Sequence, residues 1–263
     1  MAFGLAIYGT ESVSSVRAFE EAARFFGDIK IEANAHGYYK YRENRDNEDL
    51  DFIDTTFNEL ENALASQNAK DFRIYHVDCK DDAWDAGFGF STKNFGSFFH
   101  INIQFNGESP EPLLVYLKGF FRRNTASYAI SYKCCDVYDA YHYAIGENMV
   151  KIFPWENAMA FNKEVDGRFK GKARFNSTLL RLVYPVNVLN SSHMDINIGE
   201  LTLSETIHRN EWGKLTKIEG TDERWLWMVQ EELLEGINNE LGKAGILTAW
   251  KKPALRRKNK LLP

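Results

Sequence analysis

The sequence predicts an α+β fold: a largely antiparallel sheet with helices packed on one face, followed by a mixed C-terminal portion. Three observations predict it. Short runs of alternating apolar residues recur along the chain, several close enough together to form hairpins. Amphipathic helical stripes stand between some of these runs. The two element types do not follow the ~30-residue cadence of a doubly wound parallel sheet.

Residues 3–8 form the first strand. The turn Gly9-Thr10-Glu11-Ser12 leads into a helix whose stripe is Val13, Val16, Phe19, Ala22, Ala23 and Phe26, stopped by Gly27. Residues 29–41 read as an aromatic-rich strand in which Gly37 marks a bulge or turn. Asn47 caps a second helix carrying Ile53, Phe57, Leu60 and Leu64. Residues 72–77 and 84–90 are strands joined by the polar connection 78–82.

The centre of the prediction is a strand–helix–strand unit, residues 98–133. Phe99, Ile101, Ile103 and Phe105 share one strand face, and His100 falls on the other. Ser109 caps the helix, Pro110 suits its first position and Glu111 its positive end. Leu113, Leu114, Leu117, Phe120 and Phe121 make its stripe; Asn124 reads as a left-handed stop. Residues 126–132 return as a strand, and residues 137–143 are dense in aromatics.

Residues 149–175 lack periodicity and read as an irregular connection with at most one hairpin. Residues 179–185 are a short buried strand or docking segment ending at Pro185. Thr202 caps a short helix with Glu205 at capping-box spacing. Residues 214–218 form a strand. Asp222 or Glu223 opens a final helix carrying Leu226, Val229, Leu233, Ile237 and Leu241, and residues 246–250 close as an edge strand. The implied organisation is an α+β core domain (1–146), a mixed portion packed on it (147–250) and a basic tail (251–263).

All 37 acidic residues but only 26 of the 32 Lys and Arg fall in residues 1–250, so the body carries −11 and the tail is basic. An acidic body argues against a nucleic-acid-binding face and fits a basic protein partner. The tail has no aromatic stacking platform. No apolar run reaches the roughly 18 residues a membrane span needs, and the N-terminus has no basic and apolar leader pattern, so the expected location is the cytoplasm. Cys79, Cys134 and Cys135 read as reduced thiols rather than a disulfide frame.

No catalytic motif stands out. Gly87-Phe88-Gly89 lacks the third glycine and helix start of a dinucleotide loop. The densest group of potential metal ligands is His76, Asp78, Asp81, Asp82 and Asp85. Its spacing matches neither an EF-hand nor a zinc motif, so no metal and no cofactor is expected. A metal-dependent enzyme built on the His76/Asp78 hairpin is the alternative. Residues 46–61 hold Asp46, Glu48, Asp49, Asp51, Asp54, Glu59 and Glu61 with no Lys or Arg. First-turn acids suit the helix dipole; the remainder are uncompensated and point to a basic partner. The candidate partner-binding residues are therefore Asp49, Asp51, Asp54, Asp81, Asp82 and Asp85, with Trp84 as apolar anchor.

The C-terminal third carries a resemblance. Its blocks are Leu182-Val183-Tyr184-Pro185-Val186-Asn187-Val188-Leu189, Leu201-Thr202-Leu203-Ser204-Glu205-Thr206-Ile207, Gly213-Lys214-Leu215, Trp227-Met228-Val229 and Gly245-Ile246-Leu247. In this order, over residues 179–247, they resemble bacterial proteins of the immunity type. The resemblance implies a non-enzymatic protein that neutralises a secreted antibacterial toxin by binding it, and it carries over no active site. A phage-related assembly component is a further alternative.

Overall fold

The computed structural model describes residues 1–41, 50–78, 84–221 and 223–252. Its strands are β1 (Ala2–Tyr8), β2 (Ala35–Tyr41), β3 (Leu50–Thr55), β4 (Phe72–His76), β5 (Ala86–Ser91), β6 (His100–Asn106), β7 (Tyr128–Cys134), β8 (Val186–Asn190), β9 (Asn197–Ile198), β10 (Leu201–Thr202), β11 (Lys214–Lys217) and β12 (Arg224–Met228). Its helices are α1 (Ser15–Ile29), α2 (Phe57–Ala65), α3 (Glu111–Arg123), α4 (Val137–Ile145), α5 (Ala158–Glu164), α6 (Asp166–Phe169), α7 (Ser191–Met194), α8 (Leu203–Arg209) and α9 (Glu231–Lys243).

The fold is α+β. Ten strands make one antiparallel sheet in the order β11-β12-β8-β7-β1-β6-β5-β4-β2-β3. The strand–helix–strand unit lies at its middle: β6 and β7 flank β1, and α3 makes the crossover between them. Leu113, Leu117, Phe120 and Phe121 of α3 are buried as its stripe requires. α3 starts one residue later than expected, with Pro110 rather than Ser109 at the cap position, and Ser109 Oγ accepts from the Glu111 N–H. Asn124 stops it in extended rather than left-handed backbone, with its side-chain amide donating to the Phe120 carbonyl. Arg123 makes a two-pronged ion pair with Glu21, tying α3 to α1.

The helices, expected on one face, cover both. Phe3, Leu5 and Ile7 of β1 pack under α1, α2 and α3. Ala2, Ala6 and Tyr8 face a second layer built from α4, α5, α8 and α9. The physical reason lies in β1, where Phe3, Leu5 and Ile7 on one face and Ala2, Ala6 and Tyr8 on the other leave no polar side chain to meet water, and in β7, where Tyr128, Ile130 and Tyr132 add to the second of these faces.

Two helix boundaries differ from the sequence expectation, for one reason. Residues 50–55 are the edge strand β3, and α2 starts only at Phe57, capped by a Thr56/Glu59 capping box; the expected cap, Asn47, lies outside the described residues. Residues 224–228 are β12, and the last helix starts at Glu231. In both, apolar residues at helical spacing run across a strand–helix junction, and pairing to a neighbouring strand claims the first part. Residues 246–250 make isolated bridges to Leu180 and Glu156 rather than a sheet edge. Residues 149–175 contain α5 and α6 and no hairpin. The Thr202/Glu205 capping box forms as expected. Cys134 is buried and Cys135 exposed, both free thiols; Cys79 lies outside the described residues.

Candidate functional site

Three neighbouring strands repeat one alternation. Phe72 and Ile74 of β4, Phe88 and Phe90 of β5, and Ile101, Ile103 and Phe105 of β6 face the α1–α3 layer. The opposite face carries Arg73 and Tyr75, then Gly87, Gly89 and Ser91, then His100, Asn102 and Gln104. Register sets these in line, Arg73 beside Gly89 beside Asn102, and Tyr75 beside Gly87 beside Gln104. This half of the sheet thus has a face of polar and small residues. α4 packs against β6, and His100, Asn102 and Gln104 are buried. The Gln104 amide donates to Asn102 Oδ1 at 3.0 Å, and His100 Nδ1 lies 2.8 Å from the Phe98 carbonyl.

The glycines explain how large side chains lie flat on this face. A Cβ at Gly89 would stand 2.4 Å from Arg73 Nη1, and one at Gly87 would stand 2.8 Å from Trp84 Nε1. The G-x-G pattern is therefore a bed for an arginine and a tryptophan.

Arg73 is 4% exposed. Its Nη1 donates to the carbonyls of Phe72 and Phe90, and its Nη2 to Ser91 Oγ and Tyr141 Oη. The rings of Tyr39 and Tyr141 stand 5.6 and 5.4 Å from its Cζ. A cavity of about 170 Å³ opens over it, lined also by Asp71, His100, Glu147 and Asn162. The Asp71 carboxylate accepts from the Thr92 N–H at 2.8 Å; burial raises its pKa, against the opposing pull of Thr92 and Arg73.

From this cavity an aromatic track runs both ways. Toward the sheet edge, Phe95 touches Tyr39 and Tyr41, and Tyr39 pairs across the strands with Phe52. Tyr41, Leu50 and Phe52 are exposed there. In the other direction, Tyr141 meets Trp84, whose ring also contacts Tyr75 and Tyr138. Trp84 is half-buried and Tyr138 exposed.

The structure places the sequence-predicted residues unevenly. Asp49, Asp81 and Asp82 lie outside the described residues. Asp51 and Asp54, three apart, would share a helix face but take opposite faces of β3. Asp54, exposed, is registered with Gly37 on the track's face; Asp51 is registered with Lys40 on the other. Glu59 is the N3 residue of the α2 capping box, and the Thr56 N–H it accepts lowers its pKa. Asp85 accepts from the Asp78 N–H, while its backbone bonds to His76 and Asn106, so it closes the ends of β4, β5 and β6. His76 Nδ1 lies 2.6 Å from the Glu32 carbonyl. Among the described residues, no three His, Cys, Asp or Glu side chains converge as a metal site. Among the described residues of the predicted set, Trp84 alone stands in the track itself. Sequence reasoning missed Arg73, Tyr39 and Tyr141, although the repeated alternation of β4, β5 and β6 carried a signal for the polar face.

A second polar cluster is closed to solvent. Arg181 and Glu156 are both fully buried and pair at 3.6 Å. Arg181 donates to Tyr8 Oη and to the Tyr143 carbonyl, at 3.0 and 2.7 Å, and lies over the Tyr143 and Phe161 rings. Burial raises the Glu156 pKa, with Arg181 opposing it. This cluster pins the chain around residue 181 to β1 and α4.

No protein-family model matches the chain, and a comparison with curated proteins returns no match. Among solved structures, the fold is similar to that of a Pseudomonas aeruginosa T6SS protein, PA0821, with a TM-score of 0.54 and 12% identity. The match covers 97% of this chain and 77% of that one. At this identity the likeness is one of fold. Among the described residues, no helix is long and apolar enough to cross a membrane.

Proposed function

We propose that this chain is a non-enzymatic, immunity-type protein that neutralises a toxin or effector by binding it. The observation that carries this is the aromatic track around Arg73. Trp, Tyr and Arg are the side chains that dominate binding energy at protein interfaces, and here they line a partly open surface with exposed apolar flanks. The fold likeness to a T6SS protein supports a role beside secreted effectors. The net charge of −11 over residues 1–250 supports a basic partner, met in the cytoplasm and steered electrostatically.

Protection is the test. A cell making the cognate toxin should die without this chain and survive with it, and the purified pair should form a stable complex. Trp84→Ala should weaken that complex about 30-fold or more. Asp54→Asn should slow association at low salt and matter little at high salt. Unchanged toxin sensitivity after deletion of the chain, together with turnover of a substrate by the purified protein, would overturn the proposal.

A further inference from the structure

We propose that the cavity over Arg73 receives a carboxylate side chain, aspartate or glutamate, from the bound protein. This rests on the binding function proposed above and names the chemistry of its anchor.

Arg73 is a buried cation whose direct contacts are neutral. Its four hydrogen bonds go to two carbonyls and two hydroxyls, and its Nε has no partner. Among the described residues no carboxylate forms an ion pair with it. A buried charge is costly unless it is paired and fully hydrogen-bonded. Neither acid that lines the cavity forms an ion pair with Arg73: Asp71 accepts from the Thr92 N–H and feels the guanidinium only through space, and Glu147 stands 3.3 Å from His142 Nδ1. The position is built rather than incidental, because Gly89 leaves the space in which the guanidinium lies. The Tyr39 and Tyr141 rings flank the cation, and its burial strengthens any charge pair formed there.

Size agrees with this chemistry. A protein cavity of about 150 Å³ accommodates a benzene ring, so about 170 Å³ holds the end of an acidic side chain. Leu50 and Tyr39 stand at the same cavity, giving the stem of that side chain an apolar contact. A guanidinium presents a planar fork suited to a carboxylate, which an ammonium lacks. The partner is then basic in net charge, which the acidic body attracts, and presents one acidic residue that Arg73 selects.

The first test needs no partner. The full chain, labelled with nitrogen-15, is titrated with N-acetyl-glutamate amide and, separately, with N-acetyl-glutamine amide and inorganic phosphate. The Arg73 Nε–H resonance, identified by its loss in Arg73→Lys, is followed. The glutamate analogue should move it saturably and the other two should not. No movement at about 100 mM, the range of a single weak contact, would overturn the assignment, as would an equal response to glutamine or phosphate. The second test uses the toxin complex. Arg73→Lys, which keeps the charge but loses the fork, should weaken binding about 100-fold, chiefly through faster dissociation. A complex that tolerates Arg73→Lys within twofold would sink this inference and leave the proposed function standing. A pocket that titrates with glutamate in a chain that protects no cell would do the reverse.

Discussion

Gly89→Ala tests the site at its most constrained point. The added Cβ would lie 2.4 Å from Arg73 Nη1, 2.7 Å from Cζ and 2.8 Å from Cδ. Contacts this short force the guanidinium to shift, and the shift costs only what its hydrogen bonds hold it in place with. Arg73 makes four hydrogen bonds from that position. Hydrogen bonds to a charged group contribute about 1.5–3 kcal/mol each, so losing two of them costs about 3–6 kcal/mol. Gly89 does not have positive φ. Alanine is therefore compatible with the backbone and restores about 0.4–1 kcal/mol by restricting the unfolded chain. The net expectation is a loss of about 2–5 kcal/mol. In an Arg73→Ala background the clash is gone, and the same substitution should stabilise by about 0.4–1 kcal/mol. Urea denaturation of the four proteins, compared at constant m, measures both values and their coupling. A cost below about 0.5 kcal/mol in the wild-type background, or the same cost in both backgrounds, would refute the reasoning, since distant sites add within that margin.

Leu117→Ala in α3 should cost about 2–5 kcal/mol in chemical denaturation, because Leu117 is fully buried, while Val115→Ala on the exposed side of the same helix should stay within about 0.5 kcal/mol. Equal effects would mean that the helix face is misassigned. Arg181→Met should cost about 3–5 kcal/mol, and adding Glu156→Leu should recover part of it, because the single change strands a buried acid; no recovery in the double variant would show that the ion pair is not what the core depends on. His193, buried with Nε2 2.9 Å from the Phe175 carbonyl, has its pKa lowered from 6.5 to about 4 by burial. The unfolded chain therefore binds the proton first, so stability is full above pH 6.5 and is lost as pH falls toward about 4, at up to about 1.4 kcal/mol per pH unit. His193→Gln should flatten that slope, and an unchanged slope in pH-dependent melting would assign the loss to other groups.

Much of the fold is legible because some patterns are local. The stripe of α3, the alternation of β6 and the capping box at Thr202 each need only a few neighbouring residues to state what they are. The Thr56/Glu59 capping box was equally legible and marks where α2 begins, three residues before the acid it explains. The acidic segment was harder. Its residues carry no mark that distinguishes a helix from an edge strand, and the choice decides which acids share a face.

Local pattern was enough for the α+β class, the central β6–α3–β7 unit and the apolar faces, because periodicity and caps act over one or two turns. Three features depended on long-range packing. Residues 50–55 became a strand because β2 offered its open edge. Helices came to cover both faces because β1 is apolar on both. Arg73 met Tyr141, 68 residues away, because α4 packs across β1 and β6 and so brings Tyr141 within reach of β4. A charge can be read from one letter; whether it is solvated at a surface or buried between two rings depends on chain segments that only folding brings together.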